Sequence, residues 1–210
     1  MSSPIKVNTR ARWTALNPRL LVGEFAQEAD TGNLKIGNGR QRWNDLPYHG
    51  CPGYWGSFWD PTSQIAAAIN TPQAILLRAG DSSSNGVTVA SGSRITVAYP
   101  GVYSLTFSVQ LSNGDSSIHD VNIWLRKNDS GTSGDVPNSD SRFSVIERHG
   151  SIDGNVIGAV NFVLPLVAKD YLELMWATTS LAAYIHAEPS GATHPAIPGV
   201  ICTITQVASA

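Results

Sequence analysis

The chain has 210 residues, of which 42% are hydrophobic and 14% are charged, and its formal net charge is −2. This length is enough for one ordinary domain and one smaller unit, and the near-neutral charge argues against a nucleic-acid-binding or membrane-surface protein. The 19 glycines, together with abundant Ser, Thr and Asn, are typical of many short strands joined by turns.

The N-terminal segment, residues 1–12, is polar and contains no apolar run. We therefore expect no secretory signal, and synthesis in a cytoplasm without export by the usual route. The longest apolar run, residues 160–168, is interrupted by Asn161 and Pro165 and is too short to cross a bilayer. We expect no membrane partner.

Residues 13–48 form a separate unit that turns sharply twice. Gly and Asn accept a positive φ at low cost, so DTGN (residues 30–33) and GNG (residues 37–39) predict tight turns. The short strand candidates around the first turn alternate weakly, and a single hairpin of this size is only marginally stable in water. We therefore expect this unit to need neighbouring copies of itself. The sequence HGCPG, residues 49–53, is interpreted as a linker.

Residues 54–210 predict a β-sandwich with roughly eight to ten short strands. Strict alternation over residues 101–111 places five apolar side chains on one face: Tyr103, Leu105, Phe107, Val109 and Leu111. A second alternating segment, residues 121–127, again gathers its apolar residues on one face: Val121, Ile123 and Leu125. We expect one face of these segments to pack inside the sandwich.

Three further apolar segments predict strands in the second half of the chain. Residues 161–168 and 171–178 are separated only by Lys169 and Asp170, which predicts a hairpin. Pro165 inside the first segment predicts an edge position or a bulge. Residues 200–207 predict the closing strand.

Helical periodicity is almost absent, and residues 60–70 offer the best helix candidate. Asp60 and Pro61 suit a helix start, and three alanines follow. The segment is short, however, and Asn-Thr-Pro comes directly after it, which favours an extended conformation. Both alternatives stay open, with the extended one preferred.

The sequence contains no catalytic or cofactor-binding motif, whether a zinc-protease, nucleophile-elbow, dinucleotide or phosphate-loop pattern. Residues 81–86 open like a calcium loop, but Gly92 stands where a glutamate ligand is needed, so we predict a plain turn.

Cys51 and Cys202 are expected to stay reduced, one of them as a small core residue. We expect no enzymatic activity, no cofactor and no metal held by one chain. An ion on a three-fold axis stays open.

The segment from Asn17 to Tyr48 resembles a short module that recurs in bacteriophage and prophage tail-fibre proteins. The sequence reads NPRLLVGEFAQEADTGNLKIGNGRQRWNDLPY. The matching positions are Glu24, Asp30, Thr31, Gly32, Lys35, Ile36, Gly37, Gly39, Trp43, Leu46, Pro47 and Tyr48. The resemblance implies a trimeric fibre in which three chains wind their hairpins around a common axis.

The second part of the chain resembles a trimeric jelly-roll head. Pro100-Gly101-Val102-Tyr103 followed by Phe107 is similar to the strand signature shared by the complement (C1q-like) globular head and the tumour-necrosis-factor superfamily. The resemblance is to the version found on phage and prophage virion proteins. It implies an all-β fold, with a small N-terminal hairpin module for trimerisation and a C-terminal jelly-roll sandwich head.

A homotrimer would give the weakly alternating N-terminal unit something to bury. The residues expected to form its shared interior are Leu20, Leu21, Phe25, Leu34 and Ile36. The residues expected to pack the exit from the module are Trp43, Leu46 and Tyr48. In the head, the outward-facing Trp124 is a candidate for the three-fold interface.

The resemblance implies a structural protein of a phage virion, assembled in the cytoplasm of a host bacterium. Residues 1–12 would attach it to other virion proteins, and the head would contact a host-surface glycan or protein, with no nucleic-acid partner. Loops carry most binding residues on rigid scaffolds, and the candidate loops are residues 80–86, 112–119, 128–141 and 186–195. One alternative is a capsid decoration protein that stabilises the shell at three-fold positions, and another is a lectin-like domain of a bacterial cell.

Overall fold

The computed structural model describes residues 5–49 and 53–209. The N-terminal unit consists of β1 (Lys6–Asn8), α1 (Arg10–Leu16), β2 (Phe25–Glu28), β3 (Leu34–Ile36), a 3-10 helix (Trp43–Asp45) and β4 (Tyr48–His49). These strands form one four-stranded sheet in the order β1-β2-β3-β4. β1 pairs parallel to β2, and the other pairs are antiparallel. We call this sheet the module sheet.

Residues 6–12 belong to this unit, which corrects the boundary expected between an arm (1–12) and a module (13–48). β1 completes the module sheet, and the α-helix that follows it was not predicted. Thr9 caps that helix by accepting a hydrogen bond from Arg12 N (3.3 Å), and Asn17 ends it with φ 39°. Only Trp13 of the seven helical residues is buried, so the helix lacks the repeated apolar spacing by which a sequence reveals a helix. The predicted linker, residues 49–53, lies partly outside the described residues, and His49 ends β4.

The head contains twelve strands and a second 3-10 helix within its described part. In chain order they are β5 (Trp55–Asp60), β6 (Gln73–Ala74), β7 (Ala79–Gly80), β8 (Val87–Ala90), β9 (Arg94–Val97), β10 (Gly101–Asn113), β11 (His119–Lys127), the 3-10 helix (Thr132–Gly134), β12 (Ser141–Val145), β13 (Gly154–Leu166), β14 (Tyr171–Thr178), β15 (Ala183–Ile185) and β16 (Val200–Ser209).

These strands form two six-stranded sheets. The front sheet has the order β13-β10-β16-β5-β7, with β15 pairing to β10, and the back sheet has the order β12-β11-β14-β9-β8, with β6 pairing to β14. From β9 to β16 the main chain crosses repeatedly between the two sheets, which is the connectivity of a jelly roll. The predicted all-β class with a jelly-roll sandwich head is therefore confirmed.

The core lies between the two sheets and uses the faces that alternation predicted. The five apolar residues of 101–111 that share a face are at most 1% exposed, as are the three of 121–127. They come from β10 in the front sheet and β11 in the back sheet, so each segment supplies one layer of the same core. The prediction that one alternating face of these segments packs inside the sandwich is confirmed, and the structure shows that it is the apolar face.

The residues of the strand signature, Pro100 to Phe107, hold the start of β10 in place against the core. A Cβ at Gly101 would lie 2.2 Å from Gln206 Nε2, so any larger residue would displace the side chain that donates to Pro100 O (2.9 Å). The Tyr103 hydroxyl donates to Tyr99 O (2.8 Å). Phe107 is fully buried. These residues fix the corner at which the chain enters β10.

The hairpin predicted for residues 161–178 is wrong. β13 pairs with β10 in the front sheet along its whole length, whereas β14 pairs with β11 in the back sheet. The short connection, in which Lys169 has φ 74°, crosses between the sheets. The prediction that Pro165 lies at an edge is confirmed, since β13 is the last strand of the front sheet and one of its sides needs no hydrogen-bond donors.

Asp170 holds this crossing in place. Its carboxylate accepts hydrogen bonds from Val167 N (2.9 Å) and Asn128 Nδ2 (2.6 Å), and it pairs with Lys127 Nζ (2.8 Å). Burial by itself would raise the pKa of Asp170, but the bonds from Lys127, Asn128 and Val167 N outweigh it and lower the pKa below its ordinary value.

Asp170→Asn is expected to lower the free energy of unfolding by about 1–3 kcal/mol at neutral pH, because charge-assisted bonds to a buried carboxylate are lost. The pKa is depressed in the folded state, so this stabilisation is present above the ordinary pKa and disappears as pH falls through the folded value. Urea unfolding of both proteins at neutral pH and near pH 3 measures the effect. An equal difference at both pH values would contradict the assigned role.

Residues 60–70 contain no helix. Asp60 ends β5, and the chain then bends, with Gln64 forming an isolated bridge to Ile185. The buried Asp60 carboxylate accepts from Thr62 N (3.0 Å) and Gln64 Nε2 (2.8 Å). These side-chain bonds compete with helical backbone bonds, as expected for Asp near a chain turn. Of the two predicted alternatives, the extended conformation agrees better with the structure than the helix does.

Cys202 is a core residue of β16. It is fully buried and free, and burial raises the pKa of its thiol to about 12. Cys51 lies outside the described residues. The prediction of one small core cysteine is confirmed by Cys202.

Candidate functional site

The N-terminal unit has a hydrophobic core of its own. Trp13 stacks on Trp43 with ring centroids 4.7 Å apart, and Leu20, Ala26 and Leu46 complete the cluster. Leu20, Trp43 and Leu46 are at most 3% exposed within a single chain. The expectation that the unit buries almost nothing alone is therefore wrong, and Leu20 is not available to a shared interior. Trp13 comes from the unpredicted helix, which is why the sequence did not show this core.

Lys35 lies next to this core, with its ammonium 5.0 Å from the Trp43 ring centroid, and takes part in a polar network. Its ammonium donates to Trp43 O (2.9 Å) and lies 4.3 Å from the Tyr48 ring centroid. The Tyr48 hydroxyl donates to Glu28 Oε1 (2.6 Å), and Thr31 donates to the other oxygen of Glu28. Burial lowers the pKa of Lys35, and burial together with Glu28 raises the pKa of Tyr48. These residues of the fibre-type pattern act within one chain.

The glycines of the same pattern serve its turns. Gly32 and Gly39 have φ values of 75° and 70°, which glycine adopts without strain. At Gly37, directly after β3, a Cβ would lie 2.1 Å from Leu21 O, so the chain there passes close to the loop that precedes β2. The two predicted tight turns are confirmed.

The second face of the module sheet is partly exposed and mostly apolar, with Gln27 and His49 as its polar residues. Phe25 opposes Ile36 in the register and is 45% exposed, and Leu21 on the adjacent loop is 72% exposed. Leu34 and Ile36 are half-buried, and Val7 of β1 is 54% exposed. Of the residues expected to face neighbouring copies, Leu21, Phe25, Leu34 and Ile36 therefore remain candidates.

The outer face of the front sheet carries no charged side chain along its described strands. The residues whose side chains point outward there are Trp55, Ser57, Trp59, Ala79, Val102, Ser104, Thr106, Ser108, Gln110, Ser112, Asn155, Ile157, Ala159, Asn161, Val163, Pro165, Tyr184, Ile201, Thr203 and Thr205. Ile157, Val163 and Ile201 are 64%, 62% and 41% exposed. We call this surface the uncharged face.

The outer face of the back sheet is different. It carries five charged residues, Arg94, Asp120, Arg126, Arg142 and Glu173. Trp124 also points outward from this sheet, as predicted, but its indole Nε1 donates to Asp135 Oδ1 (2.8 Å) and a loop covers it in part. Trp124 therefore lies on the charged sheet, which is the less suitable face for contact between identical copies.

The four candidate loops lie at two opposite ends of the head. Residues 80–86 and the start of 128–141 are at the end where β10 begins, which is also the end that contacts the N-terminal unit through Arg10 and Tyr99 (5.9 Å to the ring centroid). Residues 112–119 and 186–195 lie at the far end, where β10 ends and β16 begins. Asp81 accepts from Ser83 N (2.8 Å), so residues 81–86 form the predicted plain turn.

Neither a metal cluster nor a membrane-spanning helix is present in the described part of the chain. No three His, Cys, Asp or Glu side chains among residues 5–49 and 53–209 are grouped to hold an ion. No helix there has the length and apolar character needed to cross a bilayer.

The fold and these surfaces define a jelly-roll sandwich protein with a small mixed α/β unit at one end. The sequence matches no protein-family model, and no curated protein is detectably similar to it. Among solved structures, the chain is similar to Eiger TNF from S. frugiperda, with a TM-score of 0.47 and 13% identity over 75% of this chain and 94% of that one. The jelly-roll assignment rests on the strand order and not on this likeness.

Proposed function

We propose that this protein is a homotrimeric structural component of a phage virion whose head contacts the host cell surface. The observation that carries the trimer is the uncharged face. It extends over four long strands from distant parts of the sequence, and no Asp, Glu, Lys, Arg or His points outward from its described strands. The virion assignment is supported by the fibre-type pattern of residues 17–48.

The uncharged face suits contact between identical copies. Burying an unpaired charge costs several kcal/mol, so the cores of interfaces are depleted of charged residues. Exposed apolar residues such as Ile157 and Val163 gain by leaving water. A closed three-fold ring buries the same patch in every copy and leaves none of it open to further association. Contact through this face also leaves the back sheet and the far-end loops accessible.

The position of the loops supports an outward-facing head. If the N-terminal unit is attached to the particle, residues 112–119 and 186–195 lie at the end that points away from it. Candidate contacts with a host-surface glycan or protein therefore concentrate at these loops and on the back sheet. A capsid decoration protein is the second candidate, because a trimer formed through the uncharged face also suits a three-fold position on a shell.

Antibody labelling of intact particles separates these two functions. Gold label at the tail or its fibres is the expected result, and mutation of the far-end loops should then reduce adsorption to host cells. Label spread over the capsid would favour the decoration protein, and loss of the chain should then weaken the shell against heat. Particles that carry the chain at neither place would contradict the virion assignment.

A further inference from the structure

A cavity opens on the back sheet between β11 and the loop that follows it. Its volume is about 400 Å³, within the range typical of small-molecule sites. Its lining combines one aromatic ring with amide and carboxylate groups: Asn70, Asn122, Trp124, Asp135, Asn138 and Asp140.

The walls of the cavity are fixed by hydrogen bonds. Asp135 Oδ1 accepts from Trp124 Nε1 (2.8 Å) and from Arg126 Nε (2.7 Å). Asp140 Oδ2 accepts from Asn122 Nδ2 (2.8 Å). The loop backbone is tied to the strand by a bond from Val136 N to Leu125 O (2.8 Å). A site held in this way loses little conformational freedom when a ligand binds.

The free groups of the cavity are acceptors and amides. The bonds described above use one oxygen of each carboxylate, so Asp135 Oδ2 and Asp140 Oδ1 remain for a ligand. Burial by itself would raise the pKa of Asp135, but the bonds from Arg126 and Trp124 lower it, so this group accepts only. The lining includes two carboxylates, Asp135 and Asp140, and no cationic side chain. Arg126 pairs with Asp135 (2.7 Å), and Arg142, opposite Asn122 in the register, pairs with Asp120 (3.9 Å). The negative lining disfavours anionic ligands.

We propose that this cavity binds a neutral pyranose unit of a glycan. The indole N–H of Trp124 is already taken by Asp135, so its remaining surface is an aromatic face that attracts the C–H edges of a sugar ring. Sugar hydroxyls donate to the carboxylates in charge-assisted bonds, and the amides of Asn122 and Asn138 both donate and accept. This proposal names a ligand for the host contact in the proposed function. It rests on the proposed function only for where the glycan comes from, the host cell surface.

The test is an array of immobilised neutral and acidic pyranose oligosaccharides, probed with the labelled full-length protein. Trp124→Ala removes the aromatic face. Asn138→Gly removes one amide and keeps the backbone, because Asn138 has φ 61° and glycine adopts this value freely. Thr88→Ala is the matched control, since Thr88 is exposed on the back sheet outside the cavity. Circular dichroism of each variant confirms folding.

The expected result is binding to neutral glycans that falls about tenfold or more in Trp124→Ala and Asn138→Gly, a loss of about 1.4 kcal/mol, and is unchanged in Thr88→Ala. Unaltered binding by both cavity variants, a preference for acidic glycans, or no binding to any neutral glycan would overturn the proposal. The assay uses purified protein, so its failure leaves the particle-labelling result untouched, and a capsid location would not remove binding to the array.

Discussion

Replacing Thr203 with Arg is expected to convert an assembly of about 67 kDa, three times the 22.4 kDa chain, into monomers. Thr203 is exposed at the centre of the uncharged face, where it pairs with Thr106 of β10. A trimer through this face would bury three guanidinium groups without partners, and each unpaired buried ion costs several kcal/mol. Light scattering coupled to size-exclusion chromatography at micromolar concentration measures the mass.

Thr88→Arg is the matched control for this prediction. It makes the same chemical change on an exposed strand position of the back sheet, outside the proposed interface, and should leave the mass unchanged. A wild-type protein that is monomeric and well folded at this concentration would rule out the trimer. A Thr203→Arg protein that assembles as well as the control would place the interface elsewhere.

Leu20→Ala and Leu21→Ala are expected to differ sharply although the residues are neighbours. Leu20 is 1% exposed in the core formed with Trp13 and Trp43, whereas Leu21 is 72% exposed. Truncation of a buried leucine costs about 2–5 kcal/mol, and an exposed substitution away from special features changes stability by no more than about 0.5 kcal/mol. The N-terminal unit of Leu20→Ala should therefore unfold at a urea concentration well below the unfolding midpoint of the parent protein.

The measurement is hydrogen exchange at the amides of β2 and β3, which reports on opening of this unit separately from the head. Both variants are best compared in the Thr203→Arg background, so that assembly contributes nothing to the difference. If the wild-type protein forms the proposed trimer, Leu21→Ala in the wild-type background reports in addition on the second face of the module sheet. Equal losses for the two leucines in the monomer would show that the single-chain core does not hold the unit together.

The sequence predicted those features of the fold that depend on neighbouring residues. Alternation with a period of two showed which side chains share a face of β10 and of β11, because successive side chains of a strand point to opposite sides. Pro165 marked an edge strand because proline cannot donate to a ladder, and Gly32 and Gly39 marked turns that need a positive φ. The fibre-type pattern of residues 17–48 was also visible, although its physical roles were not.

Features that depend on pairing between distant segments were not predictable. Two apolar segments separated by Lys169 and Asp170 are equally consistent with a hairpin and with a crossing between sheets, and only the long-range pairing of β13 with β10 decided between them. The core of the N-terminal unit was not predicted for two reasons. Trp13 is the one buried residue of its helix, so the helix has no apolar pattern, and its partner Trp43 lies thirty residues further along the chain.

The two proposed contact surfaces arise in the same way. The uncharged face is assembled mainly from β5, β10, β13 and β16, and none of these segments shows in the sequence that its outward residues join those of the others. The cavity at Trp124 needs a loop that folds back onto β11. The sequence by itself determined which side chains share a face of β10 and of β11, because that property is local. The tertiary structure decided which outward faces join into one surface, because the order of strands in a sheet is set by contacts between residues far apart in the chain.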